Sequence, residues 1–542
     1  MKFIKNILPS KHEQLMEEGM ASYRESKYSE AISLLSESLS LEPQNSEAYF
    51  FRGLCWQQLS EHSRAIDDFT YVLNIDKQFR SIIHYALALS YKEIGDDDNA
   101  LTQFNDFLTL RGNFPNALLH RSKIYFKRGK TDEALKDISQ LLAIAPDHLE
   151  GYLMSALIRM SMNDFKRAII DLNTIIRLKP AGEEAWVFRG ECKRNLKLYH
   201  EAVFDVRRAL SLNPRSYRAF CTLGKIYFSM SSYTDALREL NNALKINQEY
   251  GEALLLRSEC YIKLERFEEA LIDFDCILQT DPDNKVIRER RGHLKKLLND
   301  TESAREDFYK VLELNPNESN SYFLLSDIEI AFGNHDKALE LINKAIEFEP
   351  ANPKFFNQRG LIRFKLRVYH DAIIDYTKAI QLTIDNYMYY YNRALAKIEV
   401  LDYTGALADF TKSLSKPDFI NAYSARAELK IKMEDYNSAI NDYDHVLHID
   451  GMNKKAFFMK AFCYNLLGEH ENALREINRA IKVDPQYADA FFLRAVINRH
   501  LLYYKAAKTD CENAIRFGTI DYRIQAVELL RDLTVKTAGM VD

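Results

Sequence analysis

Residues Glu183 to Pro214 read EEAWVFRGECKRNLKLYHEAVFDVRRALSLNP. Two amphipathic stretches stand either side of a short Leu196–Lys197–Leu198 break. In the first, Trp186, Gly190 and Lys193 recur at helical spacing, and in the second Ala202, Val206 and Ala209 do the same. Small residues at Gly190 and Ala202 let two helix backbones cross closely. Pro214 lacks an N–H and ends the second stretch. The segment therefore predicts a helical hairpin whose two apolar stripes face one another.

Working outward, the alanine at residue 202 recurs along the whole chain, as Ala31, Ala65, Ala100, Ala134, Ala168, Ala202, Ala236, Ala270, Ala304, Ala338, Ala372, Ala406, Ala439, Ala473 and Ala507, at spacings of 34 with one of 35 and one of 33. With each alanine at position 20 of a 34-residue unit, position 8 is small in most units, position 17 is mostly aromatic and position 32 carries eight prolines from Pro43 to Pro485. The predicted units are 12–45, 46–79, 81–114, 115–148, 149–182, 183–216, 217–250, 251–284, 285–318, 319–352, 353–386, 387–419, 420–453, 454–487 and 488–521. Residues 1–11 form an N-terminal extension, and 522–542 a C-terminal capping helix and tail. One hairpin cannot bury its stripe alone, but stacked neighbours bury it together.

This pattern resembles the tetratricopeptide repeat, over residues 12–521. In the quoted unit the family's Trp, Gly, Ala, Ala and Pro fall on Trp186, Gly190, Ala202, Ala209 and Pro214, while Arg189 and Lys193 stand where the family usually has Leu and Tyr. The resemblance implies an all-α, right-handed superhelical solenoid of about fifteen helix-turn-helix repeats, with the first helix of each hairpin lining a concave groove.

A second regularity belongs to the fold. Nine units carry arginine at position 7, and all nine carry aspartate at position 23: Arg52 with Asp68, Arg121 with Asp137, Arg189 with Asp205, Arg257 with Asp273, Arg291 with Asp307, Arg359 with Asp375, Arg393 with Asp409, Arg426 with Asp442 and Arg494 with Asp510. Of the remaining units only the fifth keeps the acid, as Asp171. A salt bridge between the two helices of each such hairpin is expected.

Composition narrows the function. The 542 residues carry 73 basic and 78 acidic side chains, a formal charge of -5 with the signs interspersed, so no field draws the chain to nucleic acid. No segment offers the run of apolar residues a membrane span needs, and no leader is legible before Pro9, which points to a cytoplasmic protein. The string Arg128-Gly129-Lys130-Thr131 lacks the earlier glycine of a phosphate loop, and Gly129 sits at the inter-helix turn. Cys55, Cys192, Cys260 and Cys463 share position 10 and read as small core residues; His445 and His448 have helical spacing but no third ligand nearby. No catalytic, cofactor or metal site is expected.

What remains is a surface for protein segments. On the first helices, positions 2, 5, 9 and 12 form a face apart from the buried stripe. It is apolar early, at Met16, Met20, Phe50, Leu54, Tyr85 and Leu89, and again late, at Phe323, Leu361, Phe364, Tyr391, Leu395, Phe458, Phe462, Phe492 and Val496. Between these stretches it is polar, with Glu191, Lys225, Glu259, Glu289 and His293. Such a face suits extended or helical partner segments with apolar anchors. In the ninth unit, Arg288, Arg290, Lys295 and Lys296 place charges at or beside core positions, which predicts looser packing there or a patch for an acidic partner. The Lys and Asn set that grips chaperone C-terminal tails in this family is absent, so that partner is disfavoured. The expectation is a non-enzymatic scaffold or adaptor; the alternative is a homo-oligomer whose groove or edge is filled by another copy.

Overall fold

The computed structural model describes residues 10–77, 80–518 and 520–538. Residues 1–9 of the extension, with Phe3, Ile4, Ile7 and Leu8, and the tail from 539 lie outside the described residues. Among the described residues there are 31 α-helices and no strand. Thirty of them form fifteen pairs in chain order, and a last helix, Ile520–Ala538, packs on both helices of the fifteenth pair. The chain divides into two compact units, Met1–Thr280 with hairpins one to eight, and Asp281–Asp542 with hairpins nine to fifteen and the last helix.

Hairpin six shows how the local chemistry works. Its helices run Glu183–Asn195 and Tyr199–Leu212. The first ends where Lys197 takes a left-handed φ of 62° and the Leu198 amide donates back to the Lys193 carbonyl at 2.9 Å, closing the last turn. Position 15 is left-handed in all fifteen hairpins: five glycines have positive φ, of which Gly95, Gly129, Gly333 and Gly468 lie there, and the other eleven hairpins use a residue with a side chain, Leu401 and Leu502 among them. The next helix starts two residues later. Its small position-20 alanine is fully buried in every hairpin, from Ala31 to Ala507.

Close approach explains the glycines at position 8. A Cβ on Gly53 would meet the Phe69 ring at 2.6 Å, and one on Gly360 the Tyr376 ring at 2.7 Å. The side chain at position 24 fills that space instead: Phe69, Phe104, Phe274, Phe308 and Phe410 are 0% exposed. Burying one such ring is worth about 1.5–3 kcal/mol. Within each unit, every second helix also packs against the first helix of the next hairpin. First helices of neighbouring hairpins touch in both units, whereas neighbouring second helices do not approach so closely. The first helices therefore line the inner side of each unit and the second helices its outer side.

All nine arginine–aspartate pairs form within their hairpins. Arg189 donates to both Asp205 oxygens, at 2.8 and 2.6 Å, and Asp205 is 0% exposed. Two further partners were not visible in the covariation. Eight of these arginines also donate to position 25 of the preceding hairpin, at Ser36, Asn105, Asn173, Asn241, Asn343, Thr377, Thr411 or Asn478, so that one guanidinium ties three helices. In several hairpins the aspartate takes a second cation from position 11: Lys193 at 2.9 Å, Arg363 at 2.7 Å, Lys397 and Lys430 at 2.8 Å. This resolves hairpin five, where Asp171, lacking the usual arginine, pairs with Arg159 at 2.5 Å.

The looser packing expected in hairpin nine is not what the structure holds. Arg288, in place of an aromatic residue, donates to the Pro282 carbonyl at 2.9 and 2.7 Å, as Trp186 does to Pro180 at 3.3 Å. Lys295 reaches Asp307 at 2.9 Å. Arg288 thus makes the contact that Trp186 makes in hairpin six, and Lys295 the contact that Lys193, Lys397 and Lys430 make from position 11 of theirs.

Two stability predictions follow from this geometry. Removing the buried carboxylate by Asp205→Ala leaves the largely buried Arg189 without its counter-charge and is expected to cost about 3–5 kcal/mol, whereas Asp484→Ala, which breaks a pair with the half-exposed Lys454, should cost under about 1 kcal/mol; denaturant unfolding followed by circular dichroism orders the two. At the turns, Gly129→Ala puts a side chain on a left-handed residue with open space around it and should destabilise by about 1 kcal/mol, while Leu401→Gly should raise the thermal midpoint.

Candidate functional groove

The inner face of each unit is built from first helices, so its character is set by positions 2, 5, 9 and 12. In the first unit Met16, Met20, Leu54, Tyr85 and Leu89 are half-buried on that face, but Phe50 is only 8% exposed and packs on Phe69 at 6.1 Å between ring centres. Phe50 is a core side chain. In the second unit Phe323, Leu361, Phe364, Tyr391, Leu395, Phe458, Phe462, Phe492 and Val496 are all half-buried. Phe323 stacks on Phe355 of the next hairpin at 5.3 Å. Ile398 and Ile431, at position 12, extend the same face. Burial raises the phenols of Tyr85 and Tyr391, so both remain neutral donors over the physiological range.

Sequence reasoning missed a second set of rings. Position 34, the last of a unit, is the N-cap of the next first helix. Where it is Asn or Ser, the side chain accepts a backbone N–H, as Asn45 does from Ala48 at 3.0 Å and Asn453 from Ala456 at 3.0 Å. At Phe114 and Tyr487, and at Phe419, which ends the short twelfth unit, there is no side-chain cap. These rings instead lie on the position-5 aromatic of their own hairpin: Phe114 on Tyr85 at 5.5 Å, Phe419 on Tyr391 at 5.0 Å, Tyr487 on Phe458 at 5.5 Å. The coincidence of an aromatic cap with an aromatic position 5 in one unit was the signal. Tyr387 also meets Phe419, at 5.0 Å, so hairpin twelve carries a cluster of three rings.

Within the first unit the polar stretch is a network, not a set of separate charges. Lys225 lies 2.7 Å from Glu252 and 3.9 Å from Glu191, and Arg194 pairs with Glu191 at 2.7 Å. Burial would lower the Lys225 ammonium, but the two glutamates outweigh it and hold it above the ordinary lysine range. Burial likewise opposes ionisation of Glu252, yet hydrogen bonds from Lys225 and Tyr250 keep its carboxyl low. In the second unit, Lys296 pairs with Asp327, and Glu289 accepts from Asn320 at 2.6 Å. Of the four basic residues singled out in hairpin nine, Arg288, Lys295 and Lys296 thus hold partners within the fold.

The remaining chemistry-bearing side chains are parts of the core or the turns. Cys55, Cys192, Cys260 and Cys463 are 0% exposed. Burial pushes their thiols up, to about 11 for Cys55 and about 12 for the other three, which leaves them unreactive. His445 stacks on Tyr423 at 4.9 Å. Among the described residues no cluster of three or more His, Cys, Asp or Glu is arranged to hold a metal ion, and no helix is long and apolar enough to cross a membrane.

A hairpin array with this register defines a helical-repeat scaffold. The tetratricopeptide-repeat family model matches residues 16–78, 85–148 and 291–353, a second tetratricopeptide-repeat model matches 455–487, and the model for anaphase-promoting complex, cyclosome, subunit 3 matches 195–274. The chain belongs to the tetratricopeptide-repeat family. Similar solved structures include Cut9 in the APC/C hetero-tetramer Cut9-Hcn1, at 15% identity over 90% of this chain and 96% of that chain with a TM-score of 0.38. Yeast Tom70 matches at 18% identity over 92% of this chain and 97% of that chain, with a TM-score of 0.32. YrrB, described as a TPR protein with an unusual peptide-binding site, matches at 20% identity over 33% of this chain and 92% of that chain, with a TM-score of 0.30.

Proposed function

We propose that this protein is a non-enzymatic scaffold that binds extended or helical segments of partner proteins along the inner face of its hairpins. The observation that carries the reading is the aromatic wall of the second unit, where Tyr387, Tyr391 and Phe419 in hairpin twelve and Phe458 and Tyr487 in hairpin fourteen stand half-buried along the first helices. Large rings bring contact area at low conformational cost and concentrate binding energy. The fold has no evident need for aromatic caps at Phe419 and Tyr487, since asparagine caps the same position at Asn352, Asn386 and Asn453. Leu361, Leu395, Phe462 and Val496 then supply the floor between the rings.

Several weak contacts on one array add through effective concentration, so a partner with repeated apolar anchors is held more tightly than any one contact allows. The early groove at Met16, Met20, Leu54, Tyr85 and Leu89 offers a separate site of the same kind. Its methionines adapt to varied side chains.

A photo-crosslinking residue placed at Leu395 should capture partner polypeptide from a native extract. Tyr391→Ala and Phe462→Ala should each weaken the captured partner by about thirtyfold, the effect of a hot-spot side chain, with the helical circular dichroism unchanged. Capture that is insensitive to both substitutions, or that yields this chain alone, would overturn the reading.

A further inference from the structure

Position 22 points outward from the middle of each second helix, and the repeat itself shows what the fold requires there. Eleven hairpins place Ser, Asp, Thr, Lys, Arg, Glu, Ala or Asn at this position. The other four place Ile170, Phe204, Ile272 and Ile374, which are 62%, 68%, 59% and 63% exposed. Packing does not call for these side chains, because the same helix folds elsewhere with a charge in the same place. Three of them fall in one unit, on the second helices of hairpins five (Phe165–Leu178), six (Tyr199–Leu212) and eight (Phe267–Thr280).

Their surroundings differ in sign along the face. One turn before Ile170 stand Lys166 and Arg167, and one turn after Phe204 stand Arg207 and Arg208, all exposed. Ile272 has Glu268 and Glu269 at the same offsets that Lys166 and Arg167 hold from Ile170, with the exposed Glu265 before them; Glu269 pairs with the neighbouring Arg266 at 2.6 Å, as Arg167 does with Asp164 at 3.4 Å, so Glu268 and Lys166 carry the contrast in sign. Between the two ends lies the second helix of hairpin seven (Tyr233–Ile246), whose position 22 is the exposed Arg238, paired with Asp235 at 3.0 Å. The outer face of hairpins five to eight is thus apolar and basic at one end, apolar and acidic at the other.

We propose that this face docks antiparallel on the same face of a second copy of the chain, about a two-fold axis between hairpins six and seven. An isologous contact must be self-complementary, each residue i meeting j while j meets i. In this pairing Ile170 of one copy meets Ile272 of the other, Lys166 faces Glu268, and the Phe204 ring lies against the Arg238 guanidinium, a cation–π contact. The four second helices have 14 residues each. At about 21 Å in length and about 10 Å in width apiece, they present roughly 800 Å² per copy, the size of a standard specific interface. The first helices of these four hairpins, on the opposite side of the layer, stay open in this dimer.

Light scattering of the full chain after size exclusion, over a wide concentration range, should show a monomer–dimer equilibrium that weakens as salt rises. Phe204→Glu and Ile170→Glu should each weaken the dimer about tenfold or more, with circular dichroism unchanged because both sites are exposed. Lys166→Glu alone and Glu268→Lys alone should weaken it as well. Mixing those two single variants should restore it, since in an antiparallel pair each repelling contact becomes an attracting one. A chain that stays monomeric throughout, a dimer indifferent to Phe204→Glu, failure of the mixture to recover, or a dimer abolished instead by Leu395→Arg in the groove would each overturn the proposal.

Discussion

The close crossing of two helices at positions 8 and 20 is the constraint from which the rest of each unit descends. A fully buried alanine on one helix and a glycine or other small residue on the other bring the backbones near enough that a single ring, such as Phe69 or Tyr376, spans the remaining gap. That closeness sets the angle at which the hairpin leaves its neighbour. It also leaves the hairpin unable to close its own core, because the second helix keeps an uncovered flank that only the next first helix can fill. Hairpins therefore follow one another through each unit, and in the second unit a different element covers the last flank. The helix Ile520–Ala538 does so, burying Ala526, Leu529 and Leu533.

Against this apolar frame the arginine–aspartate pairs act less as a source of stability than as a device of register. Taking both charges out of water offsets most of their attraction, so a hydrophobic pair of similar volume could serve the energy as well. The geometry is what a hydrophobic pair lacks. A guanidinium with two bonds to its own aspartate and one to position 25 of the previous hairpin fixes the rotation of three helices at once. Where the arginine is missing, the substitutes preserve this logic: Arg159 serves Asp171 from position 11, and Lys460 reaches Asp444 at 2.6 Å and Glu476 at 3.5 Å. A tie that survives a change of residue and of position has a mechanical role.

How much of this was legible in the sequence depends on whether a feature repeats. The helical hairpins and the ion pairs were readable because many hairpins carry the same residues in the same register, and covariation within the hairpin outweighed the alternatives. The third partner of eight of the arginines escaped notice because it varies among Asn, Ser and Thr and lies in the preceding hairpin. The basic residues of hairpin nine were misjudged for a related reason: charge at a core position looks like a fault until the carbonyl of Pro282 and the carboxylate of Asp307 are seen beside it. The groove was legible as a face but not in depth. Helical spacing put Phe50 among the groove residues, while the ring itself turns into the core against Phe69.

The same comparison across hairpins separates what the fold needs from what it merely tolerates. A position that accepts serine, lysine or aspartate in most hairpins cannot owe an exposed phenylalanine to packing, and a cap that asparagine fills well cannot owe an aromatic ring to helix initiation. By that criterion the caps Phe114, Phe419 and Tyr487 on the inner side and Ile170, Phe204 and Ile272 on the outer side are surplus to folding. Exposed apolar side chains cost solubility, and contiguous ones mark surfaces that meet something. That the two groups lie on opposite sides of the helical layers matters, because a contact on the second helices leaves the first helices unobstructed. On the proposed reading, a copy docked on the second helices of the first unit leaves the side of that unit that carries Phe114 open to a partner segment.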